Sequence, residues 1–215
     1  MREDHAERPH GRRLRGLGLD MATWYPRMAD IPGLAFTGSP GVDRSKLPAA
    51  KVKPTAEFGT LYWPTAGGLT SATPAQTHNS ADMRGWQRDR IVQHTWEGLE
   101  VPGEPMDYHF LLQGAVEALW TARRADPAAL DDLEVFGYLD FALAEADPRA
   151  IRFDEDAPDA FVHMSSLERL LSVLEREGAL RDALALTQRA TRFFDLSADL
   201  ATLQSKVAAL DAELS

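Results

Sequence analysis

The sequence predicts a mainly α-helical protein: antiparallel helix pairs with a capping helix in the C-terminal half, preceded by an irregular segment with few short strands. Apolar residues recur at helical spacing from residue 107 onward. Prolines and glycines are dense over residues 21–105, which excludes long helices there. We therefore divide the chain into a disordered tail (1–20), an irregular Pro/Gly/Trp-rich region (21–105) and a helical domain (106–215).

The tail is polar and rich in Gly and Arg. With so few apolar side chains it cannot offset an ordering cost of roughly 1–2 kcal/mol per residue, so we expect it to be dispensable. Met21 is a candidate for the true start.

The irregular region contains aromatic residues that disordered segments usually lack, which favours an ordered wrap packed on the helical half. One helix is predicted from about Ser80 to His94, and loops are predicted at 37–56 and 64–80. Short extended pieces are predicted at Gly33–Phe36, Phe58–Trp63 and Glu97–Val101.

Two helix pairs follow. In the first pair, one helix is predicted from Tyr108 to Arg124. The other begins at Asp126-Pro127, a cap followed by a proline at the first helical position, and ends at Asp147-Pro148. An acidic loop over residues 149–163 separates it from the second pair.

The second pair spans residues 165–194, with a tight turn at Glu177-Gly178. Ser165 and Glu168 are spaced as a capping box, and Gly178 lies where a helix end needs a positive φ. Ala183 and Ala190 are small, so we expect them at a close contact between the two helices.

This second pair resembles the tetratricopeptide repeat, through Leu170, Leu174, Gly178, Ala183 and Ala190. Leu171 and Thr187 depart from the family's pattern. Residues 107–215 as a whole resemble a group of bacterial proteins with a Tyr-His-Phe opening, two helix pairs and a closing helix. The resemblance implies stacked helix pairs that bind a partner, and says nothing about catalysis.

The last helix is predicted from Ser197 to Leu214. Its apolar residues are spaced 4, 3, 4, 3 and 4 apart, as in a heptad seam. They are Leu196, Leu200, Leu203, Val207, Leu210 and Leu214. The seam either packs on Leu180, Leu184 and Phe194 of its own chain, which we favour, or associates with a second copy.

Composition excludes several classes of function. Cysteine is absent, which removes thiolate nucleophiles and cysteine-ligated metals and suits a reducing, cytoplasmic compartment. The net charge of -10 argues against nucleic acid as a partner. No apolar run is long enough for a membrane span, and no secretory signal is present.

Motifs for catalysis and metal binding are also missing from the sequence. No two of the six histidines have the i, i+3 or i+4 spacing of a helical metal pair. The carboxylates at Asp154, Glu155, Asp156 and Asp159 lack calcium-loop spacing. The sequence therefore predicts no catalytic residue, no metal site and no cofactor.

We expect a non-enzymatic adaptor that binds a protein or peptide through a helical-repeat groove, with a monomer favoured. By the resemblance, the groove is lined by Glu168, Ser172, Glu175 and Arg176, and the acidity of the chain favours a partner segment with positive charge. One alternative is an enzyme or small-ligand protein with its site in residues 21–105, at Trp63, His78, Trp86 and His94. A second is an assembly or immunity-type protein that acts by oligomerisation.

Overall fold

The computed structural model describes residues 27–57, 60–154 and 157–213, and confirms that the chain is mainly α-helical with few short strands. The predicted tail, Met21 and Leu214 lie outside the described residues. Among those described, every helix is too short or too polar to span a lipid bilayer. The helices are α1 (Pro74–Asn79), α2 (Arg88–Gly98), α3 (Pro105–Ala122), α4 (Ala129–Ala146), α5 (Ser165–Arg176), α6 (Leu180–Ala190) and α7 (Ser197–Glu213).

The strands form two small antiparallel sheets. The first has the order β1 (Thr55–Glu57), β2 (Thr60–Thr65), β3 (Gly68–Thr70). The second is the hairpin β4 (Arg152–Asp154) and β5 (Ala157–Phe161). The hairpin lies within residues 149–163, so the prediction of a plain acidic loop there is wrong. The carboxylate side chains at its tip lie outside the described part of the chain.

Several predictions for the irregular region are wrong in detail. Residues 33–36 and 97–101 form no strand, and 97–98 belong to α2. The predicted loop at 64–80 contains β3 and α1. Helix α1 begins there because the Thr73 side chain accepts the N–H of Gln76 at 3.0 Å and Pro74 occupies the first turn. Residues 37–56 carry two 3₁₀ turns, Arg44–Lys46 and Pro48–Lys51, and the start of β1.

The helix predicted over 80–94 is shifted to α2. The Asp82 carboxylate accepts the N–H of Arg84 at 3.0 Å, which makes a local turn. Gly85 then adopts φ 77°, a left-handed conformation that interrupts a helix. Regular helix can begin only after these residues, at Arg88.

The first helix pair is α3 and α4, which pack along each other. Helix α3 starts at a reciprocal cap between Glu104 and Asp107, with Pro105 at the first helical position. Helix α4 starts at Ala129 rather than at Pro127, because Asp126 accepts the N–H of Ala128 at 3.1 Å and holds a turn there.

The second pair is α5 and α6, joined as predicted by a turn in which Gly178 has φ 75°. The capping box is wrong: no side chain caps α5, and the N–H of Ser165 is donated to Gln113 Oε1 at 2.8 Å. Ala183 and Ala190 are fully buried. A close approach also exists between the pairs, since a Cβ on Gly137 would lie 3.2 Å from Leu170 Cβ.

Helix α7 packs against α6. Of the predicted seam, only Leu203 is buried among the described residues, at 3% exposure; the others are half-buried. Ion pairs from Lys206 to Glu175 and from Asp211 to Arg181 fasten α7 to the second pair.

The core is one continuous cluster that includes residues from Met28 to Leu203. The residues before α1 are attached to Glu100, which follows α2 and whose side chain is 5% exposed. Its carboxylate accepts the N–H of Ser39 at 2.6 Å and an Arg27 N–H at 3.3 Å. Arg44 donates to its backbone carbonyl at 3.2 Å.

Other residues of the irregular region contact the helical half. The Thr73 hydroxyl donates to the Asp107 carboxylate at 2.7 Å. The Trp96 ring meets Phe136 edge-on at 4.8 Å. The expected wrap of the irregular region onto the helical half is therefore present.

Candidate functional site

The first helices of the two pairs, α3 and α5, lie side by side. Gln113 bonds to Ser165, and Glu117 pairs with Arg169 at 3.0 Å. Both contacts join residues 52 positions apart. A constant offset means that the two helices run in the same direction and in register, so their solvent-facing sides form one surface.

The four predicted groove residues lie along α5 on this surface. Glu168 is exposed and 3.5 Å from His163, and Ser172 is half-buried. Glu175 pairs with Lys206 of α7. Arg176 is exposed and lies over the Trp120 ring of α3. These four residues therefore lie between α7 on one side and α3 on the other.

Three guanidinium groups converge on the half-buried indole ring of Trp120. Arg123 lies 3.5 Å from the ring centroid, and Arg169 and Arg176 each lie 5.1 Å from it. These four residues form the Trp120 cluster. Arg123 also donates to the backbone carbonyl of Trp120, which fixes its position. Cations favour the electron-rich face of an indole, which explains why the ring holds them.

The Trp120 cluster carries an excess of positive charge. Within the described part of the chain, Glu117 is its one ion-pair partner, and it binds Arg169. Burial lowers the pKa of Arg123, as do the nearby charges of Arg124, Arg176 and Arg169. The part of this shift that comes from the neighbouring arginines reflects their positive potential, and that potential would stabilise an anion placed here. The protein as a whole has a net charge of -10, which makes this local excess of arginine unusual.

The residues of the alternative site partly come together. The rings of His78 and His94 stack with centroids 3.8 Å apart, and Trp86 meets His94 edge-on at 5.1 Å. Each histidine bonds through Nε2 to the other's backbone carbonyl, at 2.8 and 3.2 Å. Carbonyl oxygens only accept, so both Nε2 atoms carry hydrogen. Trp63 is buried on β2, at 2% exposure.

This histidine pair fastens α1 to α2 and leads us to expect a pH-dependent stability. Burial first, and then the neighbouring His78, lower the pKa of His94. As the pH falls, the unfolded chain therefore binds a proton at a higher pH than the folded chain does. The free energy of unfolding decreases as the pH drops below about 6.5, the pKa of a histidine in the unfolded chain. We expect the urea midpoint to decrease in that window, and His94→Gln to reduce the decrease. His163→Gln, an exposed histidine, is the control; an equal effect of both variants would contradict this assignment.

Sequence reasoning missed a buried polar network among three helices. Asp140 of α4 accepts from His109 Nδ1 of α3 at 2.8 Å and from the Ser166 hydroxyl of α5. All three residues are 0% exposed. His109 Nε2 is buried and makes no hydrogen bond to the described residues. The serine bonds to the aspartate rather than to the histidine, and no side chain of the three reaches the surface, so the network joins helices rather than forming a nucleophilic site.

Two grooves lie away from the Trp120 cluster. One, of about 450 Å³, separates residues 40–47 from α2 and is lined by Trp96 and Val92. The other, of about 490 Å³, is lined by Phe161, Phe193, Phe194 and the start of α7. No group of three or more metal-binding side chains occurs among the residues that the structure describes.

Comparisons with known proteins leave the family open. No protein-family profile, no curated protein and no solved structure matches this chain. The tetratricopeptide resemblance therefore stays a prediction.

Proposed function

We propose that this protein is an interaction module that binds a partner protein through the surface formed by α3 and α5. The observation that carries the proposal is the parallel, in-register contact between these two helices. First helices of successive pairs stack in this way in helical-repeat proteins, and their exposed sides form the binding face.

The proposed face combines features of protein-binding surfaces. It presents an aromatic ring and several arginines, residue types that are enriched at interfaces. The core behind it is continuous, and Gln113–Ser165 and Glu117–Arg169 hold the two helices in place. A rigid face of this kind loses little conformational entropy when a partner binds.

Site-specific photocrosslinking tests the proposal. A photoreactive phenylalanine at Glu168, whose side chain is 61% exposed, should give a discrete adduct in native lysate. The same residue at Asp131, exposed on α4, should not. Adducts of equal yield at both positions, or none at either, would contradict the proposal. An adduct that is a second copy of this chain would instead favour the assembly alternative.

A further inference from the structure

We propose that the Trp120 cluster binds an acidic peptide segment, through the two guanidinium groups that have no carboxylate partner among the described residues, Arg123 and Arg176, and through the indole ring. This inference rests on the proposed function and names the chemistry of the partner. The overall acidity of the chain favours a positively charged partner. The local charge at the binding face is positive, so the partner proposed here is acidic instead.

The geometry fits carboxylates. Guanidinium groups bind carboxylates through paired N–H donors in one plane. In the described residues, neither Arg123 nor Arg176 has a carboxylate partner, and Arg176 is exposed beside the ring. Arg124, adjacent in sequence and exposed, adds to the positive charge. Two adjacent carboxylates on a peptide could therefore contact Arg123 and Arg176 at the same time.

The ends of two helices explain part of the arrangement and leave the rest for a ligand. Arg123 is the C-terminal cap of α3 and Arg176 is in the last turn of α5, where cations interact favourably with helix dipoles. Each helix end accounts for one arginine. The helix ends do not explain why three arginines converge on one ring when, among the described residues, only Glu117 forms an ion pair with them.

A short acidic segment suits the site better than a nucleic acid does. The positive region is small and bordered by Glu117 and by the Glu175–Lys206 pair. Beyond it the protein is acidic, so a long polyphosphate would be repelled. A peptide of a few residues would meet only the positive region.

Fluorescence anisotropy with a labelled hexaglutamate peptide and the full chain tests the inference. We expect saturable binding that weakens as salt is added, and no binding of a hexaglutamine peptide. Arg176→Gln should weaken binding about tenfold, the effect of one lost charge-assisted hydrogen bond. Arg90→Gln is the matched control: Arg90 lies over Trp86 at 3.8 Å, outside the Trp120 cluster, so this variant should leave binding unchanged.

Three outcomes would overturn the inference. The first is no saturable binding of hexaglutamate, and the second is equal weakening by Arg90→Gln and Arg176→Gln. The third is tighter binding of an oligothymidylate that Arg176→Gln also weakens, which would identify a nucleic-acid surface. If hexaglutamate fails but the adduct at Glu168 forms, only the acidic chemistry is wrong. If no adduct forms at Glu168, the proposed function itself fails.

Discussion

Replacing Asp140 by Ala is expected to lower the free energy of unfolding by about 2–6 kcal/mol, because each of the two buried groups left without its acceptor costs about 1–3 kcal/mol. The change leaves His109 and Ser166 buried without their shared acceptor. Because the three residues belong to α3, α4 and α5, the loss should destabilise the whole helical half. Urea denaturation followed by circular dichroism measures it.

Two further variants make this prediction specific. Asp131→Ala, exposed on the same helix, should change the free energy of unfolding by no more than about 0.5 kcal/mol. Asp140→Asn keeps an acceptor oxygen but adds a donor without a partner, so the free energy of unfolding should decrease by an intermediate amount. If Asp140→Ala costs less than about 1 kcal/mol, the network does not stabilise the fold.

Replacing Gly103 by Ala is expected to cost about 3 kcal/mol, the upper end for overpacking a core. A Cβ at this position would lie 2.3 Å from Ala75 Cβ, and 3.3 Å from Asp107 Oδ2 and Tyr108 Cζ. Ala75 is fully buried and cannot rotate its methyl group away. Helix α1 would have to move, although the N–H of Ala75 is bonded to the carbonyl of Pro102 at 2.9 Å.

Gly67→Ala is the control for this variant, because the nearest atom to its added Cβ is Thr65 Oγ1 at 4.0 Å. Thermal unfolding should distinguish the two variants, with a lower Tm for Gly103→Ala alone. Similar melting temperatures for both would mean that α1 does not lie against residue 103 as described.

The helical half could be predicted from sequence because its signals are local. Apolar spacing located α3 to α7, and Gly178 marked the turn between α5 and α6. The first residues of the helices were harder to predict. At the start of α5 the backbone N–H of Ser165 is bonded to Gln113, which lies more than fifty residues earlier in the sequence. In the irregular region, caps such as Thr73 and packing on the helices determine short elements that no periodicity reveals.

The candidate site could be predicted only in part, for the same reason. The resemblance predicted Arg176 as a groove residue, but Trp120, over whose ring it lies, belongs to another helix. The sequence did contain one sign of this cluster, because Arg123 and Arg124 follow Trp120 closely in a chain that is acidic as a whole. Asp140 also had a signal, since it lies in an apolar run four residues after the buried Phe136. A carboxylate at such a position needs a buried partner, and the sequence does not say which.

The attachment of the early chain to Glu100 has a consequence for biosynthesis. Arg27, Ser39 and Arg44 reach their partner only across 56 to 73 residues of sequence. A ribosome therefore releases Met28, Ile31 and Phe36 well before it makes the helices that bury them. These apolar side chains stay in water while roughly 5–20 residues are added each second, so this surface is open to aggregation or chaperone binding until the helices that bury it have emerged.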